Sequence, residues 1–433
     1  PSLNIFCYNS LGHSPSVLIS LYLCRLSECS LTSTCCIDLS SALSALHSPL
    51  TELDLHGNKL ENSGVTELCK GLRSENCKLE ELRLTICRLT SGCCSALSSA
   101  LSAPHSRLTE LDLSDNELED SGVTELCEGL RSKNCKIERL SLSSCHLTSR
   151  CCSALSSALS APHSQLTELD LSGNKLGNSG VNQLCEGLRN KNCKIERLSL
   201  SECHLTSGCC SALSSVLSAL HSRLTELDLS INQLGNSGVT ALCKGLRSEN
   251  CKLKTLSLWT CHLTFGCCSA LSLALSAPHS PLTELHLNDN KLEDSGVDQL
   301  CEGLKSENCK LKTLWTMSTS DILLLLTLSY SPSVNLLSLY LGRLSKCGLT
   351  SGCCSTLSSA LSAPHSQLTE LDLSVNKLGD SGVDQLCEAL RSGNFRLQYR
   401  FFWANLRKRQ RVRGRVLPHS LASFGACPLT PLS

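Results

Sequence analysis

The sequence predicts an α/β fold, a solenoid curved into a horseshoe with parallel strands on its concave face and helices on its convex face. Three observations predict it. The chain of 433 residues copies itself, because LTELDL or a near copy begins at Leu50, Leu108, Leu166, Leu224, Leu282 and Leu368, the first five at a constant step of fifty-eight residues. Self-similarity at a fixed period is the signature of a repeat architecture. Each unit then divides into two halves of twenty-nine, for example Leu108 to Lys136 and Ile137 to Gln165. Each half also joins two apolar periods, one of about 2 and one of about 3.6 residues, which are those of a strand and a helix.

The strand comes first in each half. Leu111 and Leu113, at positions 4 and 6, alternate with Glu110 and Asp112, so one face is buried and the other free. Position 9 follows, Asn in one half and Cys in the next. Asn58, Asn116, Asn174, Asn232, Asn290 and Asn376 fall where the chain leaves the strand, and their amides are expected to satisfy backbone groups that the turn leaves unpaired. Val123, Leu126, Cys127 and Leu130 then form the i, i+3, i+4, i+7 stripe of a helix. In Cys-type halves Thr90 and Ser91, or Thr148 and Ser149, precede the stripe as N-caps. In Asn-type halves Ser121 and Gly122 are read as opening the helix. Pro104, Pro162, Pro278 and Pro364 follow the last apolar residue, where a helix cannot continue.

The pattern LxxLxLxx(N/C)xL, seen in LTELDLSDNEL from Leu108 and IERLSLSSCHL from Ile137, resembles the leucine-rich repeat signature. Strict alternation of Asn and Cys types at this length is similar to the ribonuclease-inhibitor class. The SGVxxLCxGL and LTSGCCSALSSAL wording is most similar to the C-terminal repeats of NOD-like receptors, the NACHT and LRR domain-containing proteins. The resemblance covers residues 21–396, with twelve clear repeats. It implies a protein–protein interaction module, the ligand-sensing or autoinhibitory region of an innate immune receptor whose nucleotide-binding domain lies outside this chain. The alternative it implies is a free-standing inhibitor or scaffold like ribonuclease inhibitor, capping a basic partner.

Thirty-two cysteines invite a reading as disulfides or metal ligands. All but Cys7, Cys24 and Cys427 occupy fixed repeat positions, namely 9, 15 and 16 of the Cys-type half and 20 and 28 of the Asn-type half. Free cysteine packs as a small hydrophobe, and adjacent pairs such as Cys93 and Cys94 lack zinc-ribbon spacing. The expectation is unbridged thiols, no metal, and a reducing, cytoplasmic setting. Cys145 and His146 are sequence neighbours whose side chains diverge, which is wrong for a nucleophile and its base. With no GxxxxGK[ST], GxSxG or HExxH present, the chain reads as a binding protein with no cofactor and no nucleotide site, not an enzyme.

The expected binding surface is the concave strand face. Position 3 carries Glu52, Glu110, Glu168, Glu226, Glu284 and Glu370, and position 5 carries Asp54, Asp112, Asp170, Asp228 and Asp372, with His286 the exception. Like charges two strands apart lie about 10 Å from each other, close to the screening length of about 8 Å. Arg139 and Arg197 at position 3, and Arg25, Arg83 and Arg343 at position 5, interleave with them. A solvated face of mixed charge explains the same columns. Position 8 varies where most positions do not, reading Ile86, Asp115, Ser144, Gly173, Glu202, Ile231, Thr260, Asp289, Lys346 and Val375. Position 7 is mostly Ser but becomes His56, Trp259 and Asn288. The partner-binding candidates are therefore Glu52, Asp54, His56, Ile86, Asp115, Glu202, Ile231, Trp259, His286 and Asp289, with Trp259 the leading anchor.

Three segments depart from the pattern. Residues 1–20 are irregular, and VLISLYL is too short to span a bilayer. Residues 311–338 interrupt the array, either as a degenerate repeat kept in register or as an insert. Residues 397–433 read as a basic, disordered tail: eight Arg or Lys and no acid fall between 396 and 415, so 31 basic groups face 39 acidic ones before it, a net of minus eight. Nucleic acid enters this reading only through that tail, and a membrane not at all.

Overall fold

The computed structural model describes residues 23–46, 48–315 and 349–361, together with positions 363, 370, 371, 381 and 385. Residues 1–20, Asn376, Lys346, Val375 and the tail from 397 lie outside the described residues.

The chain forms one parallel sheet of twelve strands in sequential order. They are β1 (Leu23–Arg25), β2 (Glu52–Asp54), β3 (Glu81–Arg83), β4 (Glu110–Asp112), β5 (Arg139–Ser141), β6 (Glu168–Asp170), β7 (Arg197–Ser199), β8 (Glu226–Asp228), β9 (Thr255–Ser257), β10 (Glu284–His286), β11 (Thr313–Trp315) and β12 (Glu370–Leu371). Between them lie α1 (Cys35–Ser44), α2 (Glu61–Leu72), α3 (Cys94–Leu101), α4 (Glu119–Leu130), α5 (Cys152–Leu159), α6 (Gly177–Leu188), α7 (Cys210–Leu217), α8 (Gly235–Leu246), α9 (Cys268–Leu275), α10 (Glu293–Leu304) and α11 (Cys354–Leu361). Strands lie about 4.8 Å apart and helices about 10 Å, so the stack curves with its strands inside.

Strand and helix leucines meet in one continuous core. Leu111, Leu113, Leu118, Val123, Leu126 and Cys127 are each fully buried, and their counterparts in neighbouring modules continue the same layers. A fully buried leucine contributes roughly 2 kcal/mol, yet no module closes its stripe without a neighbour.

Polar groups stitch the modules in two alternating ways. Asn174 ties an Asn-type module back to the preceding Cys-type one. Its Nδ2 donates to the carbonyls of Leu142, Leu171 and Ser172 at 2.9–3.1 Å, and its Oδ1 accepts from the amides of Cys145 and Leu147. Asn58, Asn116, Asn232 and Asn290 do the same work at their own turns. The forward tie lies at the helix starts. Asn62 Nδ2 donates to Thr90 Oγ1 at 2.6 Å while Asn62 Oδ1 accepts from Thr90 N, and Asp120 holds Thr148 in the same way through Oδ1 and Oδ2.

The helix starts differ from expectation in one half. Thr90 caps a 3-10 turn, Ser91–Cys93, that leads into α3. In the Asn-type half the helix opens two residues before Ser121–Gly122, at Glu119. Gly122 instead makes room for the neighbouring module, since a Cβ there would lie 2.8 Å from Cys94 Sγ and 2.9 Å from Ser91 Cα. The small residue marks close approach rather than the boundary.

At the interruption, β11 joins β10 on one side and β12 on the other. The helix next to α10 is α11, and Asp294 on α10 accepts from Thr350 N at 2.7 Å and from Thr350 Oγ1. The strand at 313–315 and the helix at 354–361 therefore occupy the positions of a single module.

If Asn174 carries this stitching, Asn174→Ala strands five buried backbone groups and lowers stability by about 3–5 kcal/mol. Urea unfolding followed by circular dichroism reads that loss, and a change below about 1 kcal/mol would show that water replaces the amide.

Candidate partner-binding surface

The sheet's outer face is built from positions 3 and 5 of each strand and positions 7 and 8 of the turn that follows. Parallel register aligns each position into a column across the array: Glu110 stands beside Glu81 and Arg139, and Asp228 stands between Ser199 and Ser257.

Along position 3 the arginines are engaged. Arg139 Nε donates to Glu110 Oε2 at 2.7 Å and its Nη2 reaches the same carboxylate. Arg197 pairs with Glu168 and approaches Glu226 at 3.6 Å, and Arg83 joins Glu81 and Glu110. These pairs are substantially exposed and contribute little stability each. Position 5 is interleaved by Arg25 and Arg83 beside Asp54 and Asp112, whereas Asp170 and Asp228 have serine on each side.

In the position 5 column Asp112 Oδ1 accepts from the amide and hydroxyl of Ser114, Asp170 Oδ1 does the same from Ser172, and Asp54 and Asp228 accept from the amides of His56 and Ser230. Each aspartate thus stiffens its own turn from the concave face. Burial, with the like charge of Asp170 adding to it, raises the Asp228 pKa above the usual carboxylate range. No arginine or lysine pairs with it among the described residues.

Position 8 has a backbone peculiarity that composition hides. Glu28, Ile86, Asp115, Ser144, Glu202, Ile231, Thr260 and Asp289 all have φ between 49° and 55°, and Gly57 and Gly173 stand at the same place with φ of 71° and 68°. The left-handed region is a genuine outlier for a β-branched residue, yet Ile86 and Ile231 are held there with 49% and 37% of their surface exposed.

The candidates named from sequence do not behave alike. Asp115 and Glu202 are exposed, and Glu52, Asp54, His56 and Trp259 are half-buried. His56 Nε2 lies 3.8 Å from Glu28 Oε1. Trp259 sits beside Ile231, whose amide donates to the Trp259 carbonyl at 2.9 Å. His286 is half-buried on the same strand face as the aspartates: its Nδ1 lies 2.6 Å from Ser257 Oγ, and burial lowers its pKa to about 4, so it stands as a neutral ring at physiological pH. Asp289 is half-buried, and next to it Asn288 Oδ1 is buried with no hydrogen-bond partner among the described residues; Ser230, two modules earlier, is fully buried beside Asp228. Ser230 gives no sequence signal, because position 7 is Ser in most modules.

The twenty-eight described cysteines are unbridged and all but Cys29 are buried. Burial pushes thiols such as Cys127 and Cys185 up to about 12, so they stay protonated. Cys145 is buried and His146 exposed. Among the described residues no group of three or more His, Cys, Asp or Glu could hold a metal, and no helix is long and apolar enough to cross a membrane.

The raised Asp228 pKa makes a signed prediction. The folded chain disfavours the carboxylate relative to the unfolded chain, so stability from this group is present at low pH and lost as pH rises through its folded value. Asp228→Asn, which keeps an acceptor for Ser230 N, is expected to raise the thermal midpoint at pH 7, with the gain vanishing below about pH 4. A gain that persists at pH 3, or a loss at pH 7, would contradict the assignment.

Six segments of the chain, residues 47–69, 106–127, 164–185, 222–243, 279–301 and 366–387, match the family model described as Leucine Rich repeat, and each begins two or three residues before an Asn-type half and runs into it. Over 161 residues the chain is 48% identical to NACHT, LRR and PYD domains-containing protein 3 of Bos taurus, covering 37% of this chain and 13% of that protein. It is 41% identical over 153 residues to ribonuclease inhibitor of Sus scrofa, covering 35% of this chain and 27% of that protein. Against ribonuclease inhibitor of Mus musculus it is 39% identical over 204 residues, covering 39% of this chain and 44% of that protein. The chain thus spans less than half the length of each of these relatives. Among solved structures, an internalin from Listeria monocytogenes aligns at a TM-score of 0.41 and 18% identity, covering 78% of this chain and 84% of that one. With the repeat geometry, the alternating Asn and Cys turns and these relatives together, the chain carries an array of leucine-rich repeats similar to those of ribonuclease inhibitors and of NACHT, LRR and PYD domains-containing proteins.

Proposed function

We propose that this chain is a protein-recognition module that grips a basic partner on its concave face, and that it serves as the ligand-sensing or autoinhibitory repeat region of a NOD-like innate immune receptor. The observation that carries the binding role is position 8. Glycine fits its left-handed backbone without strain, as Gly57 and Gly173 demonstrate, whereas a β-branched residue there costs about 1–2 kcal/mol. Ile86, Ile231 and Thr260 hold that strain beside an acidic floor. Strain kept at an exposed position supports a role in recognition, and apolar side chains above carboxylates suit a partner that offers basic and aliphatic groups together.

Similarity to NACHT, LRR and PYD domains-containing protein 3 supports the receptor reading. The acidic concave columns favour the second reading, a free-standing inhibitor or scaffold of the ribonuclease-inhibitor kind, and similarity to those inhibitors supports it. Both place the chain in a reducing compartment such as the cytoplasm, which suits its unbridged buried thiols. Neither asks for catalysis.

Sequencing of the full-length transcript separates them. A phosphate-binding loop encoded upstream favours the receptor, and a complete reading frame opening near residue 1 counts against it. Titration of a basic ribonuclease tests the inhibitor, which is abandoned if activity is unchanged at micromolar chain.

Two substitutions test the binding face itself. Ile231→Gly is expected to leave stability unchanged or raise it by up to about 1 kcal/mol while weakening partner binding. Trp259→Ala should weaken binding by about 2 kcal/mol, roughly thirtyfold. Calorimetry of partner binding beside urea unfolding reads both, and equal loss of stability and affinity would show that Trp259 only packs.

A further inference from the structure

We propose that the rim of the array at which the strands begin docks on an anionic lipid bilayer. This rim is separate from the concave face. No run of the sequence marks it, because its residues are gathered from nine segments that lie twenty-nine positions apart.

From α2 to β11 each helix returns to the next strand through eight residues, beginning with 73–80 and ending with 305–312. Parallel strands in sequential order bring all nine segments to one rim. Backbone bonds hold them in step there: Glu138 N donates to the Thr109 carbonyl and Thr167 N to the Glu138 carbonyl, each at 2.8 Å. The nine segments hold sixteen Lys or Arg against six Glu, a net of plus ten. Residues 1–395 total minus eight, so everything in them outside this rim carries minus eighteen. Helix ends explain part of the excess, since Arg131, Arg189 and Arg247 are C-caps facing the negative end of a helix dipole. A second row has no such cause. Lys78, Arg107 and Lys136, and again Lys194, Arg223 and Lys252, each stand three residues before a strand, and all but half-buried Lys194 are exposed. None of the six forms an ion pair among the described residues. Lys194 Nζ donates to Gln165 Oε1 at 2.6 Å, so neighbours in this row touch. Where arginine replaces that glutamine, at Arg107 and Arg223, lysines flank it on both sides at about 4.8 Å, inside the screening length of about 8 Å. Such repulsion lowers stability, and an anionic surface relieves it.

A second observation names the surface. Leu46 and Leu220, each 69% exposed, are the most exposed large apolar side chains among the described residues. Both lie between a helix and the strand after it, in the place that Pro104, Pro162 and Pro278 hold in other modules. Leu220 is three residues from Arg223, and Lys254 in the following module stands where Glu80, Glu138 and Glu196 stand in earlier ones. A nucleic-acid backbone gains nothing from an exposed leucine, whereas the boundary between headgroups and acyl chains takes up aliphatic groups beside cations. The same bilayer repels the acidic remainder of the array, so the chain stands rim-down with its concave face open.

The test floats the full chain with phosphatidylcholine vesicles, with and without phosphatidylserine. A full chain in which Arg407, Lys408, Arg409, Arg411, Arg413 and Arg415 are changed to Gln serves as the background, so that the basic tail contributes no attraction of its own. This background chain is expected to bind vesicles that contain phosphatidylserine and not those of phosphatidylcholine alone. Arg223→Gln, Lys252→Gln and Lys254→Gln made together in it should weaken binding roughly a hundredfold, about fivefold for each cation, and Leu220→Ser about threefold. Lys59→Gln, Lys175→Gln and Lys291→Gln remove equal charge from exposed positions on the opposite rim and should weaken binding less than about threefold. Circular dichroism reports whether each variant folds, and Arg107→Gln with Lys133→Gln and Lys136→Gln is the second triple should the first not fold. Loss of vesicle binding on neutralising the tail overturns the proposal, as does equal weakening by the triples of the two rims. Tighter binding of a duplex RNA than of vesicles, sensitive to the Arg223 triple and indifferent to Leu220→Ser, assigns the rim to nucleic acid and overturns it too.

Discussion

Each module must leave its strand in the middle of an apolar core, and the amide of one asparagine makes that possible. A turn buried among leucines strands backbone donors and acceptors, and an unmet buried group costs about as much as several surface interactions return. Asn174 meets five of them, three of which belong to the preceding module. In the alternate module Cys145 has a single S–H, which lies 3.2 Å from the Leu113 carbonyl. The two module types are consequently unequal partners: the Asn type completes the Cys type before it, and the clasp between Asn178 and Thr206 completes the junction that follows. Stacking is compulsory in both directions.

Compulsory stacking turns positions into columns, and columns give the molecule its surface chemistry. A residue type repeated every second module becomes a stripe of charge whose spacing is set by strand separation rather than by side-chain choice. Where arginine interleaves, as at Arg139 and Arg197, the stripe is neutralised; where serine interleaves, as at Ser199 and Ser257, it is not. The same regularity holds the position 8 residues from Glu28 to Asp289 at one edge in one backbone conformation, so differences between these modules appear there undiluted.

Quasi-one-dimensional construction also explains how the array carries a long interruption. Each module touches only its neighbours, and the entropy of closing a loop rises slowly, by about 0.6 kcal/mol per doubling of length. What matters is that β11 pairs with β10 and that α11 meets α10, and the Asp294–Thr350 clasp shows both faces of the stack in register across the gap.

The sequence by itself determined the strand, turn and helix of each module, the alternation of Asn and Cys, the unbridged packing of the cysteines and the acidic concave columns, because these follow from local periodicity and from position within a repeat. It placed the Asn-type helix start two residues late, since a glycine required by Cys94 and Ser91 of the neighbouring module reads locally as a boundary. It gave no sign that His286 stands as a neutral ring against Ser257. Only the tertiary structure decided which carboxylates keep an uncovered charge, which polar atoms near Asn288 lack donors, and which side chains stand on a left-handed backbone. Those properties depend on the residue one module away, and a neighbour twenty-nine positions distant leaves no mark in any local pattern.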